Sequence, residues 1–525
     1  MRLFSISIWD TSRRTPPFSN TGSGTRQAFR WVCGWCECFE SLDGFRYQKA
    51  IVCRILVVIS EKCPILPFIF ALSLAATTDC GADTQSPPLV RQVDSLWTRK
   101  SGIDWPRMLG PNYDSRSPEV GILTKWPTTG LKVVWTADTG MGYGNGVAAH
   151  GRWFQFDRFG NVERLSCLNA ETGKQLWKWD SPVEYRDSYG YNNGPRCSPV
   201  VDGDRVYVLG VAGTLACLSI ADGTQLWKLD TSQKYNVAQN FFGVGASPLT
   251  YQDKLLVMIG GRQSAKPNGS AMVAFDKATG KELYRVGNYF SSYSAPVIHK
   301  IDGRDVCLSF VREGLLTFDP GDGSKEHFFP WRAEVNESVN AASPILWKNR
   351  ILISEAYEIG SAMLALTDKG LEPLWIDRGG QREKAIRSHW STPLLDGNMI
   401  FASSGRNQGD TDLRCLLLNE SNVESAEWKP EVRWTKRNHD RMTGLIVDNH
   451  LLLLGEEGSL QLLELNKDKL TVLAQMELSE IKDPRDGKAL IMSPSWAPPV
   501  LSHGLLYVRG TDKVVCLELI PELTP

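Results

Sequence analysis

The sequence predicts an all-β chain folded as an eight-bladed β-propeller of four-stranded antiparallel blades. Three observations carry this. "ETGKQLWKWD" at 171–180 returns as "ADGTQLWKLD" at 221–230. An apolar strand led by Ser-Pro, Ala-Pro or Thr-Pro recurs at Pro199, Pro248, Pro296, Pro344 and Pro393, at gaps of 49, 48, 48 and 49 residues. The first and last repeats are incomplete in complementary ways. Self-similarity at a fixed period of about 50 residues signals a repeat architecture, and four short strands per repeat make one blade.

The units can be counted. "APPVL" at Pro498 lies 105 residues after Pro393, two periods on. "MTGLIV" at 442–447 fills the slot between without its proline, and "GNGVAA" at 144–149 supplies an earlier one, giving eight units. Within a unit, a Pro-led strand is followed by a strand such as "DGDRVYVLG", then a small residue two before Asp, Asn or Ser, then a tight turn and a last strand. The third unit reads Ala274-Phe275-Asp276, then Thr279-Gly280, then Tyr284; the fourth has His327 where others have Trp. Thr-Gly and Asp-Gly are hairpin dipeptides.

The ends close the ring. "VVCLEL" brings Cys516 to the small-residue slot with no Trp strand after it, and "LKVVWTADTG" brings Trp135 with no three strands before it. Residues 131–137 are therefore expected as the outer strand of the last blade, which removes two exposed sheet edges. Trp135, Trp177, Trp227, Tyr284, Trp375 and Trp434 are expected to pack between neighbouring blades, where an aromatic buries a large area. Lys174, Lys178 and Lys228 beside them read as solvated. Cys167, Cys217, Cys415 and Cys516 share a slot with Ala274 and Ala365 and read as small buried hydrophobes.

Composition agrees. The 525 residues hold 58 basic and 59 acidic side chains, a formal charge of −1, which argues against a nucleic-acid or anionic-membrane surface. Eighteen Trp and 46 Gly suit many short strands and turns. Six of the twelve cysteines lie in residues 1–80. Cys33, Cys36 and Cys38 cluster, but no second His/Cys pair follows at zinc spacing.

Residues 1–62 read as an N-terminal extension, and a later start of translation is the alternative that would put the next segment at the N-terminus, where signal peptides normally lie. Residues 63–78, "CPILPFIFALSLAATT", have signal-peptide grammar after Arg54 and Lys62 and are short for a membrane span. Residues 79–130 are a linker and arm, polar over 80–100, and 131–525 form the propeller. Cys80 fits a lipid anchor only loosely, because Asp79 stands where a small residue belongs.

The Ala-x-Asp-x-x-Thr-Gly-x-x-x-Trp pattern resembles the repeat of the pyrroloquinoline quinone (PQQ)-like propeller families. These include the quinoprotein alcohol dehydrogenases and the outer-membrane assembly lipoproteins of the BamB type. "DWPRMLGPNYDSRS" at 104–117 resembles the arm before the ring in planctomycete PQQ-like repeat proteins. The resemblance spans about residues 100–520 and implies the fold more than an activity.

Ligands of a propeller bind at the channel mouth, which the segments leading into each first strand should line. These segments bring Tyr143, Asn145, Arg196 and Asn240 from the first units. Tyr293 and Asn340 come from the middle, and Arg387, His389, Trp390, His439, Arg441 and Trp496 from the last. The tryptophans suit stacking on a ring. The arginines suit carboxylates such as those of PQQ. His389 and His439 lie one period apart, but no third ligand stands at telling spacing, so no metal is assigned. No catalytic residue is assigned either. The resemblance implies, for a quinoprotein dehydrogenase, an adjacent Cys-Cys disulfide and a calcium site, and the sequence has no Cys-Cys pair, c-haem motif or Gly-x-Ser-x-Gly.

The expected function is thus a monomeric, non-catalytic binding scaffold for an envelope protein or glycan, in the periplasm or elsewhere in a bacterial envelope. It would meet membrane only through a lipid anchor or a partner. The alternative is a PQQ-dependent periplasmic oxidoreductase, with calcium, at an altered mouth site.

Overall fold

The computed structural model describes residues 93–522, apart from 238, 240, 422, 424 and 426. The extension, the 63–78 segment, the Cys33/Cys36/Cys38 cluster, Cys80 and Asn240 lie outside the described residues. Among the described residues, eight blades of four antiparallel strands follow one another along the chain, and the seventh gains a fifth, parallel strand from the N-terminal arm. In each of the first seven, strand order in the sheet is strand order in sequence. The innermost strands are Val147–Ala149, Val200–Asp202, Leu249–Tyr251, Val297–Ile301, Ile345–Trp347, Leu394–Asp396, Met442–Val447 and Val500–Ser502. Val500 starts its strand directly after Pro499, so Pro499 rather than Pro498 is the repeat's proline.

The last blade is completed from the other end of the chain. Val133–Asp138 pairs antiparallel with Lys513–Glu518 and sets Trp135 opposite Cys516. That is the expected closure, displaced by one or two residues.

The repeated decamer is the outer hairpin. In the first blade the Asn169 side chain accepts from the Thr172 amide at 2.9 Å and Gly173 N donates to Asn169 O. Gly173 has φ +70°, and a Cβ there would lie 2.8 Å from the Trp135 ring. Glycine is needed twice at this turn, for the left-handed backbone and for the close approach of the neighbouring blade's indole. The indole N–H of Trp135 donates to Ala170 O at 2.8 Å, Trp177 to Ile220 O at 3.0 Å and Trp227 to Lys277 O at 3.0 Å. Each aromatic thus fastens its blade to the next. Tyr284 does the same through its hydroxyl to Pro320 O, and Trp434 to Asn466 O. Trp375 instead meets Trp428 edge-on, with centroids 6.3 Å apart.

Two departures have physical causes. Met363, not Ala365, sits opposite Trp375, and Ala365 faces Glu372. The fifth blade joins its outer strands by a tight Thr367–Gly370 turn, shorter than the six-residue turn of the decamer, so the register slides by two. The fourth blade lacks the bulge that accompanies the aromatic slot in every other blade, and His327 there faces Thr317. Lys174, Lys178 and Lys228 are exposed as expected. The six described cysteines are all buried and free, and burial raises the thiol pKa of Cys217 and Cys415 to about 12. Among the described residues no helix is long and apolar enough to cross a membrane.

The arm is packed, not a loose linker. Trp97 stacks on His503 with centroids 4.1 Å apart, and the amides of Thr98 and Arg99 donate to Glu171. Trp105 exchanges two backbone hydrogen bonds with Ala148, and Val201 N donates to Pro106 O. The Tyr113 hydroxyl lies 3.4 Å from Thr250 O, and Arg116–Ser117 pairs parallel to Ile446–Val447. Glu119 accepts the amides of His503 and Gly504 at 2.9 and 2.6 Å. Leu109 packs into the cluster of blades four and five. The contacts fall at the C-terminal ends of the innermost strands, so the arm closes that end of the channel. Leu109, Tyr113 and Ser115 all have left-handed φ, unusual for such side chains and held here by surrounding packing.

Candidate functional site at the channel mouth

With one end closed, the channel becomes a blind cavity of about 310 Å³. That is near the lower end of the range for ligand pockets, about 300–1,000 Å³. Met108, Leu109 and Ser115 of the arm lie at its floor.

The wall follows a rule in the repeat. The residue three before each repeat proline, or its equivalent, is Tyr143, Arg196, Gly245, Tyr293, Ala341, Trp390, Arg441 or Trp496. All eight line the cavity. The residue one before contributes Asn145, Ser198, Thr392, Thr443 and Pro498. Gly245 gives room to its neighbour: a Cβ there would lie 2.3 Å from the Tyr293 ring.

Four of the wall residues, Tyr143, Arg196, Arg441 and Trp496, are held from behind. Arg509 of the last blade pairs with buried Asp157 and donates to Gly140 O at 3.2 Å, bracing the Tyr143 loop. Burial pushes the Asp157 carboxyl up to about 6 against the pull of that guanidinium. Trp496 donates its indole N–H to Glu456 at 2.8 Å, and Arg441 pairs with the same carboxylate at 2.6 Å. Tyr143 lies 4.6 Å from Trp496, and Trp390 lies 6.0 Å from it, centroid to centroid. Arg196 pairs with Asp187 at 2.7 Å, and its guanidinium carbon lies 5.5 Å from the Phe242 ring centroid.

Three expected residues stand elsewhere. Asn340 is fully buried, its amide donating to Val311 O at 2.8 Å and Trp331 O at 3.1 Å, so it staples loops together. Arg387 is 3 % exposed and grips Asp410 through both carboxylate oxygens at 3.0 and 3.1 Å. It anchors the segment that carries His389 and Trp390. His439 is tied by its amide to Thr411 O and does not reach the wall. The three lie four to six residues before the repeat's proline position, where the chain is still crossing the blade end. His389 does line the cavity, in edge contact with Tyr357 at 5.5 Å. Burial, then the charges of Arg441 and Arg406, push its imidazole down to about 3, so it is neutral at pH 7. Among the described residues no group of three or more His, Cys, Asp and Glu is placed to hold a metal ion.

Sequence reasoning missed Tyr191, Phe242, Tyr357, Arg406 and Asn407. Tyr357 sits on a loop folded around Glu355, whose carboxylate accepts the amides of Tyr357 at 2.7 Å, Glu358 at 3.0 Å and Gly360 at 3.1 Å. Tyr357, Arg406 and Asn407 lie on loops between second and third strands, where no local signal marks them; Tyr191 and Phe242 do precede first strands, but eight and six residues before the repeat proline, farther out than the slot that faces the channel.

A family profile described as outer membrane protein assembly factor BamB matches residues 126–283 and 245–469. No curated protein matches the chain. Among solved structures, a europium-containing methanol dehydrogenase aligns with a TM-score of 0.54 and 12 % identity, over 78 % of this chain and 90 % of its own. The quinohemoprotein alcohol dehydrogenase from Comamonas testosteroni gives 0.51 and 12 %, over 80 % and 81 %. BamB from Moraxella catarrhalis gives 0.49 and 11 %, over 75 % and 99 %.

Proposed function

The chain belongs to the PQQ-repeat family of the outer membrane protein assembly factor BamB, and on that premise we propose that it is an extracytoplasmic, non-catalytic binding propeller that holds a glycan at its channel mouth. The observation that carries this is the arc of Tyr143, Trp496 and Trp390 on the wall of a blind cavity. Aromatic faces packed against one another take the apolar face of a sugar ring at low entropic cost. A cavity of this volume accepts a ring or two rather than a folded partner. The envelope location rests on the family and on the export-like grammar of residues 63–78.

A quinone cofactor with calcium fits these residues poorly. No Asp or Glu stands among the described lining residues, whereas calcium takes six to eight oxygen ligands, carboxylates prominent among them. Asp187 and Glu456, which stand behind the wall, are committed to arginines.

The test is calorimetric titration of the full chain with neutral and acidic oligosaccharides, beside a PQQ and calcium titration followed by absorbance and dye reduction. Saturable saccharide binding, weakened about tenfold or more in Trp390→Ala, is the expected result. PQQ uptake with turnover and no saccharide binding would overturn the reading.

A further inference from the structure

We propose, building on the glycan reading, that the sugar is acidic and that Arg406 receives its carboxylate. The argument is a charge inventory of the cavity. Three guanidiniums line it and no carboxylate does, among the described residues. Arg196 is neutralised from behind by Asp187, and Arg441 by Glu456. His389 carries no charge at neutral pH. Arg406 alone among the lining cations has no ion-pair partner among the described residues. The inventory leaves one net positive charge, which matches one carboxylate.

The geometry of Arg406 agrees. Its guanidinium carbon lies 4.2 Å from the centroid of Tyr357, so the planar group rests on the ring. Stacking uses the face of a guanidinium and leaves its in-plane N–H donors free for a two-pronged bond to a carboxylate. Its backbone is fixed as well: Arg441 Nη1 donates to Arg406 O at 2.8 Å, and Gly405 N donates to Arg387 O at 2.8 Å. The cation is thus ordered before any ligand arrives. Arg441, which holds its backbone, lies 5.4 Å from the Trp496 ring, and the Tyr357 ring under the Arg406 guanidinium meets His389, the neighbour of Trp390 in sequence, at 5.5 Å. A ring on Trp390 or Trp496 that carries a carboxyl group satisfies both features together; a neutral sugar leaves the fork unused.

The experiment titrates the full chain with trigalacturonate and with maltotriose at two salt concentrations, for the wild type and for Arg406→Gln. Arg164→Gln, remote from the mouth and paired with Asp180, controls for general charge, and thermal unfolding confirms that each variant folds. The expected result is tighter binding of trigalacturonate, weakened roughly tenfold or more by Arg406→Gln and by added salt, with maltotriose unaffected by the substitution. Equal affinity for the two trisaccharides, or a trigalacturonate affinity indifferent to Arg406→Gln, overturns the acidic assignment and leaves the glycan reading standing. Binding of neither trisaccharide, with saturable uptake of PQQ, overturns both.

Discussion

At the outer rim of the ring the outermost-strand position just after the bulge, or its equivalent in the fourth blade, reads Trp177, Trp227, Tyr284, His327, Trp375, Trp434, Ala474 and Trp135 around the eight blades. At the mouth, the position three before the repeat proline reads Tyr143, Arg196, Gly245, Tyr293, Ala341, Trp390, Arg441 and Trp496. Both sets come round once per blade. The outer set is nearly one chemistry, because every blade has the same task of fastening to its neighbour. The inner set mixes stacking groups, cations and gaps, because eight positions converge on one space and identical residues would fill it eight times over. Where a repeat keeps its period but varies its residue, it is building a site.

Three experiments probe that contrast. The largest effect belongs to the seam. Removing residues through Asp138 takes away Val133–Asp138 and leaves Lys513–Glu518 as an open edge. The product is expected to lose cooperative unfolding in calorimetry, with exposed apolar surface read by dye binding. Soluble protein with the wild-type transition would sink the closure argument.

Next is a paired substitution. Trp227→Ala at the rim removes an interblade hydrogen bond and the ring over Gly280, and should cost about 3–5 kcal/mol in denaturant unfolding. Trp390→Ala at the mouth removes a ring whose indole N–H has no partner. It should cost well under half as much while abolishing ligand heat. Equal losses from the two would erase the distinction between rim and mouth.

The smallest effect is in pH. Glu163 is fully buried and accepts from Val211 N at 2.7 Å, and burial raises its carboxyl to about 7. A raised carboxyl favours the protonated folded state, so its stability is complete below the ordinary carboxylate pKa and is lost as pH rises through about 7. Glu163→Gln should therefore raise Tm at pH 8 by about 2–4 °C and change it little at pH 4.5. An unchanged difference across that range would show that Glu163 is not the titrating group.

Much of the fold was legible because a propeller is nearly one-dimensional: each blade touches the next, and such contacts repeat in sequence. Six of the eight inner-slot residues were also legible, since an aromatic or a cation at a fixed offset from a strand start is a local signal. Asn340, Arg387 and His439 misled because they are polar and close to that offset, while only backbone direction decides which residue faces the channel.

By itself the sequence determined the number of blades, the closure of the ring by its two ends, and the aromatic fastening between neighbours. All of these are contacts at one period or between complementary ends, written as pattern. Only the tertiary structure decided that residues 104–117 close one end of the channel, that Arg196 and Arg441 are neutralised by Asp187 and Glu456, and that Arg406 rests on Tyr357 with no ion-pair partner among the described residues. Those facts join residues at separations the repeat does not encode, and a side chain's charge becomes available or spent only when its neighbours in space are known.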